Sequence, residues 1–127
     1  MSDIIPESGT VFASVVEFVE KYLSQVYARD VNNGFHMWCP SWWMHPEAVA
    51  RLDSLWRSWE YHRMNSRTGL SEWWTLHADP HMRELLHPEG PFKVCSARGG
   101  HRDSIKALPL TSPPEGMFDN PGPSRKP

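Results

Sequence analysis

The chain reads as mainly α: a small domain of three to four helices with an irregular, proline-rich C-terminal arm. Three observations lead there. Apolar residues recur at helical spacing in separate stretches, each opened by a capping residue or a proline. At 127 residues with 39% hydrophobic content, the chain can build one core. Prolines crowd the end, at Pro109, Pro113, Pro114, Pro121, Pro123 and Pro127, where fixed φ and missing N–H donors forbid a regular helix or central strand.

Taken in order, the first helix is expected from Val11 to Ala28, with Thr10 as its N-cap. Phe12, Val15, Val16, Val19, Leu23, Val26 and Tyr27 follow one face, while Glu17, Glu20 and Lys21 lie mostly off it. Asn32-Asn33-Gly34 breaks the chain, and the aromatic stretch from Trp38 to Trp43 follows. Pro46 suits the first position of a second helix reaching about Arg63 and burying Val49, Leu52, Leu55, Trp56 and Trp59.

A third helix is expected after Ser71, a good N-cap, carrying Trp73, Trp74 and Leu76. Pro80 then either kinks it, or Asp79 caps a fresh turn holding Met82, Leu85 and Leu86. Only an unbroken helix keeps His77 and His81 on one face. Phe92-Lys93-Val94-Cys95 is expected to be a short extended segment, and Leu108, Leu110, Met117 and Phe118 to pin the arm onto the core. The expected organisation is a flexible stretch 1–9, a single helical domain 10–118 and a disordered tail 119–127.

Formal net charge is −2, which argues against a protein living mainly on phosphate contacts. Charge is uneven: acidic residues dominate the first 30 positions, and Lys93, Arg98, Arg102 and Lys106 face only Asp103 in the stretch 93–106. The start shows no basic region followed by an apolar stretch, so no signal peptide is expected. No segment approaches the roughly 20 apolar residues needed to cross a bilayer. The expected address is the cytoplasm, where two cysteines are more often free thiols or metal ligands than a disulfide.

Cysteine followed six residues later by histidine occurs twice, at Cys39/His45 and Cys95/His101, with His77-Ala78-Asp79-Pro80-His81 between. Thiolate and imidazole are the side chains of structural zinc sites, which close a tetrahedron of four ligands. The expected set is Cys39, His81, Cys95 and His101, with His77 and His45 as second choices and zinc as the ion. Gly99 and Gly100 permit the tight path that brings His101 back. Each cysteine taken alone reads as a small buried hydrophobe. A different arrangement places a hydrolytic metal on His77, Asp79 and His81, with Glu47, Glu72 or Glu84 as base.

Seven tryptophans stand in this chain, an unusual number for its length. Trp56 and Trp59 fall on an apolar stripe and read as core. Trp42-Trp43 and Trp73-Trp74 are adjacent pairs, whose members point in different directions on a helix, so these four are the candidate partner contacts. Aromatics interleaved with Arg51, Arg57, Arg63 and Arg67 also suit single-stranded nucleic acid, a second candidate partner after protein.

The blocks Trp38-Cys39-Pro40-Ser41-Trp42-Trp43-Met44-His45-Pro46, Leu55-Trp56-Arg57-Ser58-Trp59-Glu60, Ser71-Glu72-Trp73-Trp74, His77-Ala78-Asp79-Pro80-His81-Met82 and Gly90-Pro91-Phe92 resemble domain-of-unknown-function family 4913 of actinobacteria, their plasmids and phages. The resemblance covers most of residues 11–118. It implies an accessory protein of a mobile element or its host, and it implies no activity. The functional expectation is therefore a small, zinc-stabilised intracellular interaction module, with a metal-dependent hydrolase as the alternative.

Overall fold

In a computed structural model, which describes residues 9–103 and 105–119, three helices pack around an aromatic core. Expectations for residues 1–8 and 120–127 lie outside the described residues.

Helix α1 spans 15–26 and is built from Val15–Phe18, a π turn at Val19–Leu23 and Ser24–Val26. Its N-cap is Ser14 rather than Thr10: the Ser14 hydroxyl accepts from the Glu17 N–H at 3.2 Å. Glu17 reaches back to accept from the Ala13 N–H at 2.6 Å, close to a capping box. Residues 11–14 are bends. Glu60 accepts from the N–H groups of Val11 and Phe12, each at 2.9 Å, and so anchors this stretch to α2.

Helix α2, Pro46–His62, starts on the expected proline. It buries Ala48, Leu52, Leu55, Trp59 and Glu60, whereas Trp56 is half-buried and Val49 faces solvent. Helix α3 covers 69–86 and joins Gly69–Trp73, a π turn at Trp74–Ala78 and Asp79–Leu86. Thr68, not Ser71, precedes its first residue. Pro80 neither breaks the helix nor needs Asp79 as a cap. The helix widens into a π turn just ahead of the ring, where a donor is lost, and Asp79 keeps helical geometry at φ −61°, ψ −48°. The Asp79 carboxylate instead accepts the Tyr27 hydroxyl at 2.9 Å, tying α3 to the end of α1.

Phe18, Leu52, Leu55, Trp73, Leu85 and Phe92 are fully buried. Trp73 meets Phe18 edge-on at 6.2 Å and donates its indole N–H to the Leu55 carbonyl at 3.0 Å, so its one polar atom is satisfied inside the core. The turn from α2 to α3 is held by Gly69, whose amide donates to Asn65 at 3.0 Å. A Cβ on Gly69 would lie 1.8 Å from the His62 carbonyl oxygen. Gly69→Ala is expected to lower unfolding free energy by roughly 3 kcal/mol, since backbone cannot yield as a side chain does. Urea unfolding tests this against the gain of about 1 kcal/mol that alanine ordinarily gives inside a helix.

Past α3 the expected extended segment at 92–95 is a pair of tight turns instead, closed by Lys93 N–H to Gly90 at 3.1 Å and Cys95 N–H to Phe92 at 3.0 Å. Ser96 and Gly100 then pair in both directions, at 3.1 and 2.8 Å, and Gly100 takes φ +84°, a left-handed conformation glycine adopts freely. The arm does not pack as expected. Leu108, Leu110, Met117 and Phe118 are 83%, 92%, 60% and 77% exposed. Phe92 and Cys95 already close that end of the core, and the hydrogen bonds within the arm, such as Met117 N–H to Pro114, are local. Among the described residues no helix is long and apolar enough to cross a membrane.

Candidate metal centre

Four side chains from two distant stretches converge beside the N-terminus of α2. Cys39 lies just before a 3-10 turn at Trp42–Met44, which folds the chain back so that His45, six residues on, faces the same point. Cys95 leaves the turn begun at Gly90, and the Ser96–Gly100 pairing returns His101 to it. The six-residue spacing thus has the same effect twice: each segment makes one reversal and presents one sulfur and one imidazole.

The ligand-capable atoms of Cys39, His45, Cys95 and His101 all lie within 4.8 Å of one another, a group that can hold a metal ion. Cys39 Sγ is 3.5 Å from His101 Nδ1, and Cys95 Sγ is 3.5 Å from His45 Nε2 and 3.8 Å from His101 Nδ1. His101 Nδ1 and His45 Nε2 stand 3.1 Å apart. Both cysteines are buried. Around them is an apolar wall, with His45 edge-on to Phe92 at 4.9 Å and Trp38 edge-on to Phe92 at 5.1 Å.

Two groups outside the four tune the site. Asp103 Oδ1 lies 2.5 Å from His101 Nε2, the arrangement that fixes an imidazole's tautomer and leaves Nδ1 free to coordinate. The Arg102 N–H donates to Cys95 Sγ at 3.4 Å, which ties the loop backbone to that sulfur. In the absence of a cation the surroundings favour the uncharged forms. Burial, then the neighbouring Cys95, pushes the Cys39 thiol up to about 11, although the Ser41 backbone pulls the other way. Burial, followed by the nearby His101, lowers His45, keeping it the neutral imidazole that metals bind.

The expected residues therefore separate. Cys39, Cys95, His101 and the second choice His45 come together, and His81 does not join them. Its Nδ1 sits 3.0 Å from Arg51 Nη1, on the side of α3 that faces α2. His77 faces His62, with Nε2 atoms 3.2 Å apart. The His77, Asp79 and His81 trio is not a convergent group, because among the described residues no other set of three or more His, Cys, Asp or Glu side chains meets at one point. Of the tryptophans, Trp42 and Trp73 are core residues, Trp74 is half-buried and stacked on Tyr27 at 5.4 Å, and Trp43 is 61% exposed. Asp103 was within reach of sequence reasoning, as a carboxylate two residues from a candidate ligand.

Fold and site together define a small helical domain with a two-cysteine, two-histidine cluster able to hold a metal ion. The chain belongs to the family described as Domain of unknown function (DUF4913), whose model matches residues 12–114. No curated protein and no solved structure matches it.

Proposed function

We propose that this protein is a small interaction module whose C-terminal loops are stapled to its helical core by structural zinc on Cys39, His45, Cys95 and His101. The observation that carries this reading is the convergence of those four ligand atoms within 4.8 Å. Zinc bonds of about 2.3 Å to sulfur and 2.0–2.1 Å to nitrogen imply tetrahedral edges of about 3.6 Å for S···N and 3.4 Å for N···N. The S···N separations of 3.5, 3.5 and 3.8 Å and the N···N separation of 3.1 Å lie near those edges. Two thiolates with two imidazoles suit zinc over magnesium or calcium. Four protein ligands complete the shell and leave no position for an activated water, which favours a structural role over hydrolysis.

The test is metal analysis of protein purified without chelator, with cobalt substitution. One equivalent of zinc, and a tetrahedral thiolate spectrum with Co2+, are expected. Metal-free protein that also gives an octahedral cobalt spectrum would end the proposal.

A protein partner fits the surface better than nucleic acid. Arg51, Arg57 and Arg63 are already paired, with Glu47, Asp53 and Glu60, each at 2.8 Å. Trp43, with Met44 at 46% and Val16 at 44% exposure, offers the aromatic anchor of an interface. Trp43→Ala is expected to change unfolding free energy by no more than about 0.5 kcal/mol, as for an exposed side chain. Loss of stability well beyond that in urea would assign Trp43 to the fold. The reading places the protein in a reducing compartment, where thiolate ligands escape oxidation, as an accessory protein of a mobile element or its actinobacterial host.

A further inference from the structure

The geometry points to a second metal site, separate from the cysteine cluster, in which His62 and His77 hold a divalent transition-metal ion through their Nε2 atoms, with water completing the shell. His62 is the last residue of α2 and His77 stands in the π turn of α3. Their Nε2 atoms are 3.2 Å apart and the ring centroids 5.0 Å apart. Two imidazoles bound to one ion at about 2.0–2.1 Å bring their nitrogens to about 2.8–3.4 Å, according to whether the angle is octahedral or tetrahedral.

Two further features favour coordination. Glu72 Oε1 lies 3.5 Å from His62 Nδ1. At that separation the carboxylate stands near His62 Nδ1, and a small side-chain shift would let it hold a proton there and free the Nε2 lone pair, as in carboxylate–histidine–metal sites. The π turn that contains His77 is of the kind often found at functional sites. The pair is also reachable: His62 and His77 are both only partly buried, so water has access to them. Imidazole nitrogen with water selects late first-row divalent ions, Ni2+, Cu2+ or Zn2+, over Mg2+.

The same 3.2 Å separation would also serve a plain N–H···N hydrogen bond, and the experiment distinguishes the two. The full chain carrying one equivalent of zinc is titrated with Ni2+ by calorimetry, and its imidazole ring resonances are followed by NMR. Uptake of one equivalent of Ni2+ with selective broadening of the His62 and His77 ring signals is expected. His62→Asn and His77→Asn should each abolish that uptake with helical circular dichroism unchanged, Glu72→Gln should weaken it roughly tenfold, and His81→Ala should retain it. No uptake by the wild-type chain, or broadening confined to other histidines, overturns the site. Because wild-type ring signals report directly, a variant that folds poorly does not blunt the result.

Discussion

Cys95→Ser, like removal of metal by a strong chelator, is expected to release zinc and lower unfolding free energy by roughly 4 kcal/mol. That is what a ligand at a thousandfold its dissociation constant supplies. A large effect follows from the proposed zinc because one ion would tie together two buried sulfurs and two imidazoles that lie within 4.8 Å of one another. The loss should be local in structure. Phe18, Leu52, Leu55, Trp73 and Leu85 are buried in the helices independently of the site, so helical circular dichroism should persist. Amide exchange should accelerate instead across 93–103, where the chain turns back to present Cys95 and His101. Alkylation supplies a second readout, with both thiols protected in the metal-bound chain and exposed after chelation. Stabilisation should also fade in acid, since protons compete with the ion for thiolate and imidazole. Equal melting with and without chelator would show that the staple contributes nothing.

The other large effect concerns Glu60, a carboxylate only 8% exposed that gathers four donors. It accepts from Val11 and Phe12 N–H at 2.9 Å, the Trp56 indole at 3.1 Å and Arg63 at 2.8 Å. Burial alone would raise its pKa. The amides of Phe12 and Val11, with Arg63 and Trp56, outweigh burial and hold it below the usual carboxylate value. Glu60→Ala would leave buried donors without an acceptor and release residues 11–12 from α2, at a cost of about 3–5 kcal/mol. A native pKa below the unfolded value makes this stability complete above the ordinary value of 4.5 and lost as pH falls through the lower native one. Urea midpoints measured downward from pH 6 should therefore drop steeply in wild type and more gently in the variant. Parallel curves would mean that another carboxylate governs the acid limb.

Legibility varied with the range of the interaction that decides each feature. Pro46 opening α2, the apolar stripe Leu52, Leu55 and Trp59, and the turn enabled by Gly100 are local consequences of local sequence, and each stands where the residues place it. Ser14, not Thr10, caps α1, and the chain ahead of it is held by Glu60, 48 and 49 positions away, which accepts from the Val11 and Phe12 N–H groups. His45 displaced His81 through a similar non-local cause. The repeated six-residue spacing pointed to His45, but favouring His81 required α3 to present it toward Cys39, whereas it faces Arg51. The arm misled for a different reason: Leu108 and Leu110 are apolar, yet the core they were expected to cover is already closed by Phe92.

What the sequence by itself determined is the helical class, the three main helices and the pool of sulfur and imidazole from which a metal site is drawn. Helical periodicity and proline act within a few residues, so they survive without knowledge of the fold. Only the tertiary structure decided which four ligands meet, which tryptophan stays in water and where Pro80 is absorbed. Those outcomes depend on a turn of about 100° per residue carried across a π turn and several loops. One extra residue in a turn redirects every side chain beyond it, and no local pattern records that.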